Sequence, residues 1–225
     1  MIPWELLDSV RVPASGEELR LYKRGEEFSL TVDGRELMNS RKHGSEDALA
    51  ELACARIEGR SHARILIGGL GLGYTLATAL QRIGAAGQIV VAELVPAVVA
   101  WHRGPLAGLS GAALRDKRVS VREVDVARAL RGEHRAYDAI LLDVDNGPES
   151  LTLKGNDWLY ARAGIEAAFA ALRPKGVLSI WSVGPDRAFV QRLRRAGFKV
   201  DEVRVRARGQ RGGRPHTIWI AERGP

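Results

Sequence analysis

The chain is poor in cysteine, in lysine and in long apolar runs, and each shortage excludes something. Its 225 residues hold one cysteine, Cys54, so no intrachain disulfide can form. No group of cysteines and histidines has the spacing of a zinc site, and no metal is expected. No apolar stretch approaches the roughly 20 residues that a membrane helix needs. The opening MIPWELLDSV lacks the basic stretch and apolar core of a secretory signal. Together these absences predict a cytoplasmic, reducing setting with no membrane partner. Lysine is outnumbered by arginine 6 to 28, a bias that a GC-rich genome also produces. The positive charge is uneven. From Arg187 onward there are 11 Lys/Arg against 3 Asp/Glu, a balance of +8, so the rest of a chain of net charge +7 sums to −1. Such a basic end attracts anionic partners.

What is present reads as one α/β unit with a small appendage. The chain is 45% hydrophobic and 27% charged, ordinary for a packed domain. The alternation in LRLYKR (19–24) and FSLTV (28–32) predicts half-buried strands. Asp33-Gly34 supplies a tight hairpin turn into RELMNS. Ser45 is the expected N-cap of a helix that stops at Gly59, with Glu46 and Asp47 in its first turn. From Arg64 onward strands and helices alternate. RILIGG, QIVVAEL, RVSVREV, YDAILLDVD and VLSIWSV are the strands, and helices are expected at 74–83, from Pro96, at 126–130, at 158–172 and at 186–195. The Pro174-Lys175-Gly176 run reads as a turn, and KVDEVRVRAR with HTIWIAE as a closing hairpin. This pattern predicts a mostly parallel sheet of seven strands covered on both faces, with a small β-hairpin domain over residues 1–44 and an α/β domain over 45–225.

The chemistry centres on ILIGGLGLGYT, Ile65 to Thr75. A glycine loop between a buried strand and a helix start is where open α/β sheets bind ligands. Gly69, Gly71 and Gly73 form G-x-G-x-G, which misses the dinucleotide fingerprint because its sixth position is Tyr74. No Gly-Lys-Ser/Thr follows, so the Walker pattern fails too. The expected ligand is a nucleoside without a polyphosphate. Glu93, 20 positions beyond Gly73 at the tip of QIVVAEL, is placed to accept both ribose hydroxyls. Asp125, at the tip of the next strand, is placed to accept an adenine amine while Val126 donates from its backbone.

The glycine loop, Glu93, Asp125 and LLDVDNGPE together resemble the class I S-adenosylmethionine-dependent transferases, and within them the spermidine synthase family. VDGRELMNSRKHGSE resembles that family's gate, and NDWLYARAGIEAAFAALRPKGVLSIWS its later helix and strand. The resemblance implies a Rossmann-like sheet and a homodimer. It implies that Gly69, Leu70, Gly71, Gly73, Glu93, Leu94, Asp125, Val126 and Asp143 hold S-adenosylmethionine or its decarboxylated analogue. Asp143, with Asp145 second, would orient the acceptor and take its proton. Asn39, Arg41, Asn146 and Tyr160 would border a small-molecule acceptor. Two positions depart from the family: Gly71 stands where it has an aspartate that grips the donor amine, and Asn146 where it has a second acidic-loop aspartate. These departures make methyl transfer to a small nucleophile the leading expectation. Aminopropyl transfer from decarboxylated S-adenosylmethionine to an unusual amine is the alternative. A non-catalytic, nucleic-acid-binding protein stands third, on Arg204, Arg206, Arg208, Arg211 and Arg214.

Overall fold

The computed structural model describes residues 2–13, 15–144, 157–209 and 212–225. Asp145 and Asn146 therefore lie outside the described residues, as does Arg211.

The first strands build a small antiparallel sheet in the order β1 (Glu5–Arg11), β2 (Glu18–Arg24), β3 (Glu27–Val32), β4 (Arg35–Asn39). Asp33 and Gly34 both adopt positive φ, 46° and 78°, which turns β3 into β4 as the Asp-Gly pair predicts. Strand β1 is an addition to the sequence reading. Most of it is exposed, and its alternation is too weakly apolar to mark it as a strand.

Helix α1 (Gly44–Arg56) follows. Ser45 is not its cap. The helix starts two residues earlier, with His43 at the N-cap and no side-chain cap bond. The cause lies far along the chain: the Gly44 N–H donates to the Ala207 carbonyl at 2.9 Å, and a Cβ at Gly44 would collide with the backbone of Arg208 and Gly209. The closing hairpin thus fixes where α1 begins.

The large sheet contains β5 (Arg64–Gly68), β6 (Gln88–Glu93), β7 (Val119–Glu123), β8 (Tyr137–Leu142), β9 (Leu172–Ser182), β10 (Phe198–Arg206) and β11 (Pro215–Arg223). Their spatial order is β10-β11-β9-β8-β5-β6-β7, parallel from β7 to β9 and antiparallel for β11 and β10. This is the seven-stranded, mostly parallel sheet expected. Ile65 and Ile67 of β5 face one apolar cluster and Leu66 the other, so both faces are buried. One of these clusters runs from Leu21 and Leu30 of the small sheet into Ile65 and Val91 of the large one. A boundary at residue 44 is thus proposed for the chain, while its two parts share a core.

The helices α2 (Tyr74–Arg82), α3 (Pro96–Arg103), α4 (Gly111–Leu114), α5 (Val126–Leu130), α6 (Asp157–Tyr160), α7 (Arg162–Ala171) and α8 (Arg187–Arg195) fill the connections. Two details differ from expectation. The single helix over 158–172 is broken at Ala161, whose ψ of 165° is extended; Gly164 packs so tightly on Trp158 and Leu159 that no side chain fits. The Pro174-Lys175-Gly176 turn lies inside the span of β9, as an irregularity between the Tyr137↔Leu172 and Ala139↔Val177 pairs.

Candidate functional site

The order of the large sheet sets the tips of β5, β6, β7 and β8 side by side. A cavity opens at these tips, beneath the small sheet. Gly69, Gly71, Glu93, Leu94, Asp125, Val126 and Asp143 line it, and so do Met38, Glu46 and Trp181. The small sheet adds an apolar wall of Val12, Leu19, Leu30 and Val32.

The glycine loop is held by protein partners. Gly69, Gly71 and Gly73 all have positive φ, at 86°, 49° and 83°, which glycine adopts without strain. A side chain at Gly69 would strike the Asp143 carbonyl, and one at Gly71 the Met38 thioether. Buried His102 reaches the Gly71 carbonyl with Nε2 at 2.9 Å and Ser110 Oγ with Nδ1 at 2.8 Å, while Ser110 Oγ also lies 2.9 Å from the Leu72 carbonyl. Burial lowers the His102 pKa. A carbonyl only accepts, so Nε2 carries a proton. Neither His102 nor Ser110 stands out in the sequence, because nothing in their spacing points back to a loop 30 residues earlier.

Glu93 is buried, and each of its oxygens accepts a backbone N–H at 2.8 Å, Oε2 from Leu70 and Oε1 from Val95. Burial raises its pKa, and the amide bonds oppose the rise. Glu93 therefore shapes the glycine loop as well as facing the cavity. Asp125 caps α5, its Oδ1 accepting from the Ala127 N–H at 2.8 Å.

Asp143 continues from β8. Its N–H donates to the Gly68 carbonyl, and its Oδ2 accepts from the Thr75 hydroxyl at 2.8 Å. Desolvation pushes its carboxyl up to about 6, and Thr75 opposes the rise. Glu46 faces the same cavity from the first turn of α1. Its Oε2 accepts from the Ser45 hydroxyl at 2.6 Å. Burial, then the neighbouring charge of Asp143, pushes Glu46 up to about 8. Thr75 Oγ1 lies 2.8 Å from Asp143 Oδ2 and 3.4 Å from the Glu46 carbonyl, so one hydroxyl touches both residues. The sequence reading gave Glu46 only a helix-end role, since periodicity does not reveal which strand tip lies opposite.

Of the residues expected at the acceptor, Asn146 lies outside the described residues, and Asn39, Arg41 and Tyr160 do not line the cavity. Asn39 is buried, but its amide donates to Glu27 and Glu36 at 3.0 and 3.2 Å, and it does not line the cavity. Arg41 is 70% exposed and pairs with the buried carboxylate of Glu27 at 3.2 Å. Tyr160 packs edge-on against Phe189 in the apolar cluster on the opposite face of the sheet. Leu70 contributes its N–H to Glu93, and Gly73 starts α2; neither lines the cavity. Arg204, Arg206 and Arg208 are exposed along and just beyond the edge strand β10. No helix among the described residues is long and apolar enough to cross a membrane, and no group of described residues could hold a metal ion.

The chain is similar to known proteins in sequence and in fold. It is 27% identical over 179 residues to a polyamine aminopropyltransferase of Oceanobacillus iheyensis, covering 78% of this chain but only 32% of that relative. No protein-family model matches it. A spermidine synthase solved with the transition-state analogue AdoDATO superposes on 97% of this chain and 72% of its own, with a TM-score of 0.75 at 17% identity. Spermidine synthase from Thermotoga maritima gives a TM-score of 0.76 at 16% identity, covering 97% and 73%. A probable spermidine synthase from Corynebacterium glutamicum gives 0.69 at 14%, covering 97% and 79%. The resemblance read from the sequence is borne out, and the fold is that of the spermidine synthases.

Proposed function

We propose that this protein transfers an aminopropyl group from decarboxylated S-adenosylmethionine to a small amine. One observation carries the reading: Glu46, Glu93, Asp125 and Asp143 line the cavity, and no lysine, arginine or histidine does so among the described residues. A donor that kept its methionine carboxylate would bring an anion into an acidic site with no cation to receive it. A decarboxylated donor carries a sulfonium and an ammonium, and the acceptor adds a second ammonium. The similarity to an aminopropyltransferase supports the same choice. Methyl transfer, the leading expectation from Gly71, has no comparable support.

In this reading Glu93 and Asp125 serve the nucleoside. Asp143 orients the acceptor amine, which arrives protonated with a pKa near 10. Its carboxyl, pushed up to about 6, is matched to taking a proton near neutral pH. The new C–N bond forms as the C–S bond breaks, and the electron pair leaves with sulfur as a neutral thioether. Positioning alone accounts for roughly 7–11 kcal/mol of such a barrier.

The test incubates the protein with decarboxylated S-adenosylmethionine and a panel of mono- and diamines, with mass spectrometry for methylthioadenosine and the aminopropylated amine. Asp143→Asn is expected to lower the rate about 10²–10⁴-fold. S-adenosylhomocysteine formed from intact S-adenosylmethionine, with no methylthioadenosine from the other donor, would refute the reading.

A further inference from the structure

In the aminopropyl reading the cavity receives two ligand ammonium groups, and its four carboxylates are not equally free. Glu93 gives both oxygens to backbone amides, and Asp125 gives Oδ1 to the start of α5 and serves the nucleoside in the function proposed above. Gly71 has no side chain, and the Met38 thioether lies where one would grow. Glu46 and Asp143 remain; the Thr75 hydroxyl donates to the Asp143 carboxylate at 2.8 Å and lies 3.4 Å from the main-chain carbonyl of Glu46. Asp143 already serves the acceptor in the function proposed above.

We propose that Glu46 is the anchor for the ammonium of the decarboxylated donor, and that it sets the choice between the decarboxylated and the intact donor. The inference rests on the aminopropyl reading. Glu46 is 7% exposed, so its charge acts in a desolvated setting where an ion pair is strong. Its orientation is fixed from behind. Ser45 is fully buried and gives its one hydroxyl proton to Glu46 Oε2 at 2.6 Å. His216 Nδ1 lies 3.0 Å from Ser45 Oγ and so donates to it. That leaves Glu46 Oε1 for a ligand. His216 packs edge-on against Trp181, another wall of the cavity, so β9, β11 and α1 hold the carboxylate together.

Without ligand, Glu46 and Asp143 cannot both ionise cheaply, and burial with mutual repulsion keeps a proton on the pair. The other titratable groups facing Glu46 are Asp47 on α1, which raises its pKa further, Tyr74 on α2, whose hydroxyl is pushed up in part by the Glu46 charge, and His216 behind Ser45. An incoming ammonium takes over the role of that proton, so binding expels it.

Titration calorimetry on the full chain near pH 7, with each donor and in two buffers of different ionisation enthalpy, tests this. The wild-type protein is expected to prefer the decarboxylated donor and to release protons on binding it. Glu46→Gln keeps an acceptor for Ser45 and is expected to weaken that donor at least tenfold, to leave the intact donor no weaker, and to release fewer protons. If the wild type prefers the intact donor or binds neither, the aminopropyl reading falls and takes this inference with it. If the wild type prefers the decarboxylated donor but Glu46→Gln keeps that preference, the inference alone is overturned. Absence of proton release from a wild type that does bind also overturns it, with no variant needed.

Discussion

Removing the Glu93 carboxylate separates its two duties, and the cost of each follows from the geometry. In Glu93→Ala the Leu70 and Val95 N–H groups lose bonds of 2.8 Å inside the protein. A buried donor left unsatisfied costs about 1–3 kcal/mol, so the pair amounts to roughly 2–6 kcal/mol. That is a large share of the roughly 5–15 kcal/mol that holds a domain together. One term offsets it: burial raises the Glu93 pKa, so the ionised carboxylate itself costs something to keep, and the net loss falls toward the lower end. Glu93→Gln retains one acceptor oxygen but turns an amide NH₂ toward the other N–H, so about 1–3 kcal/mol should go. Urea unfolding at pH 7 measures both variants without ligand, and calorimetry with the donor then measures binding in Glu93→Gln, where a loss of tenfold or more is expected. If Glu93→Ala loses less than the roughly 1 kcal/mol that even one unsatisfied buried donor costs, the carboxylate does not hold the loop. If Glu93→Gln binds donor normally, Glu93 is no part of the site.

Three further outcomes are expected. Glu46 is pushed up to about 8 from an ordinary 4.5, so the folded state holds a proton that the unfolded chain has released, and stability declines as pH rises from about 4.5 to about 8. Thermal melts should therefore show Glu46→Gln gaining on the wild type at pH 8 and losing that advantage toward pH 4.5; parallel curves would contradict the assignment. Gly71→Asp introduces a carboxylate but meets the Met38 thioether at a φ of 49°, so it should cost about 1–3 kcal/mol by overpacking. Adding Met38→Ala should recover part of that loss, whereas strict additivity in the double-mutant cycle would show that the two positions do not touch. Asp138, at the amino end of β8 and away from the cavity, binds Arg60 at 2.5 Å, Arg173 at 2.7 Å and the Arg64 N–H at 2.8 Å. Asp138→Ala should destabilise by about 3–5 kcal/mol while the folded fraction binds donor normally, and a loss of binding by folded protein would count against a purely structural role.

The parts of this protein written in its sequence are those with a local physical signal. Short apolar runs such as ILIG and YDAILL, bounded by turn residues, point to buried strands, and the alternation of strand and helix points to a parallel sheet. Once the strands are parallel, their tips share one edge, so Glu93, Asp125 and Asp143 come together although they are 32 and 18 residues apart in turn. The glycine loop shows for the same reason, since positive φ leaves its mark in composition. Tertiary packing decided the rest. Glu46 reaches Asp143 across 97 positions because α1 lies over the sheet, and the start of α1 is set by the backbone near Ala207. Met38 lies over Gly71 because the small sheet folds down on the loop, and Arg41 pairs with Glu27 instead of lining the cavity. Periodicity states which face of an element is buried; it does not state what lies across from that face. The lack of cationic residues among the described cavity walls is a property of several elements at once, and it becomes visible only when they are packed together.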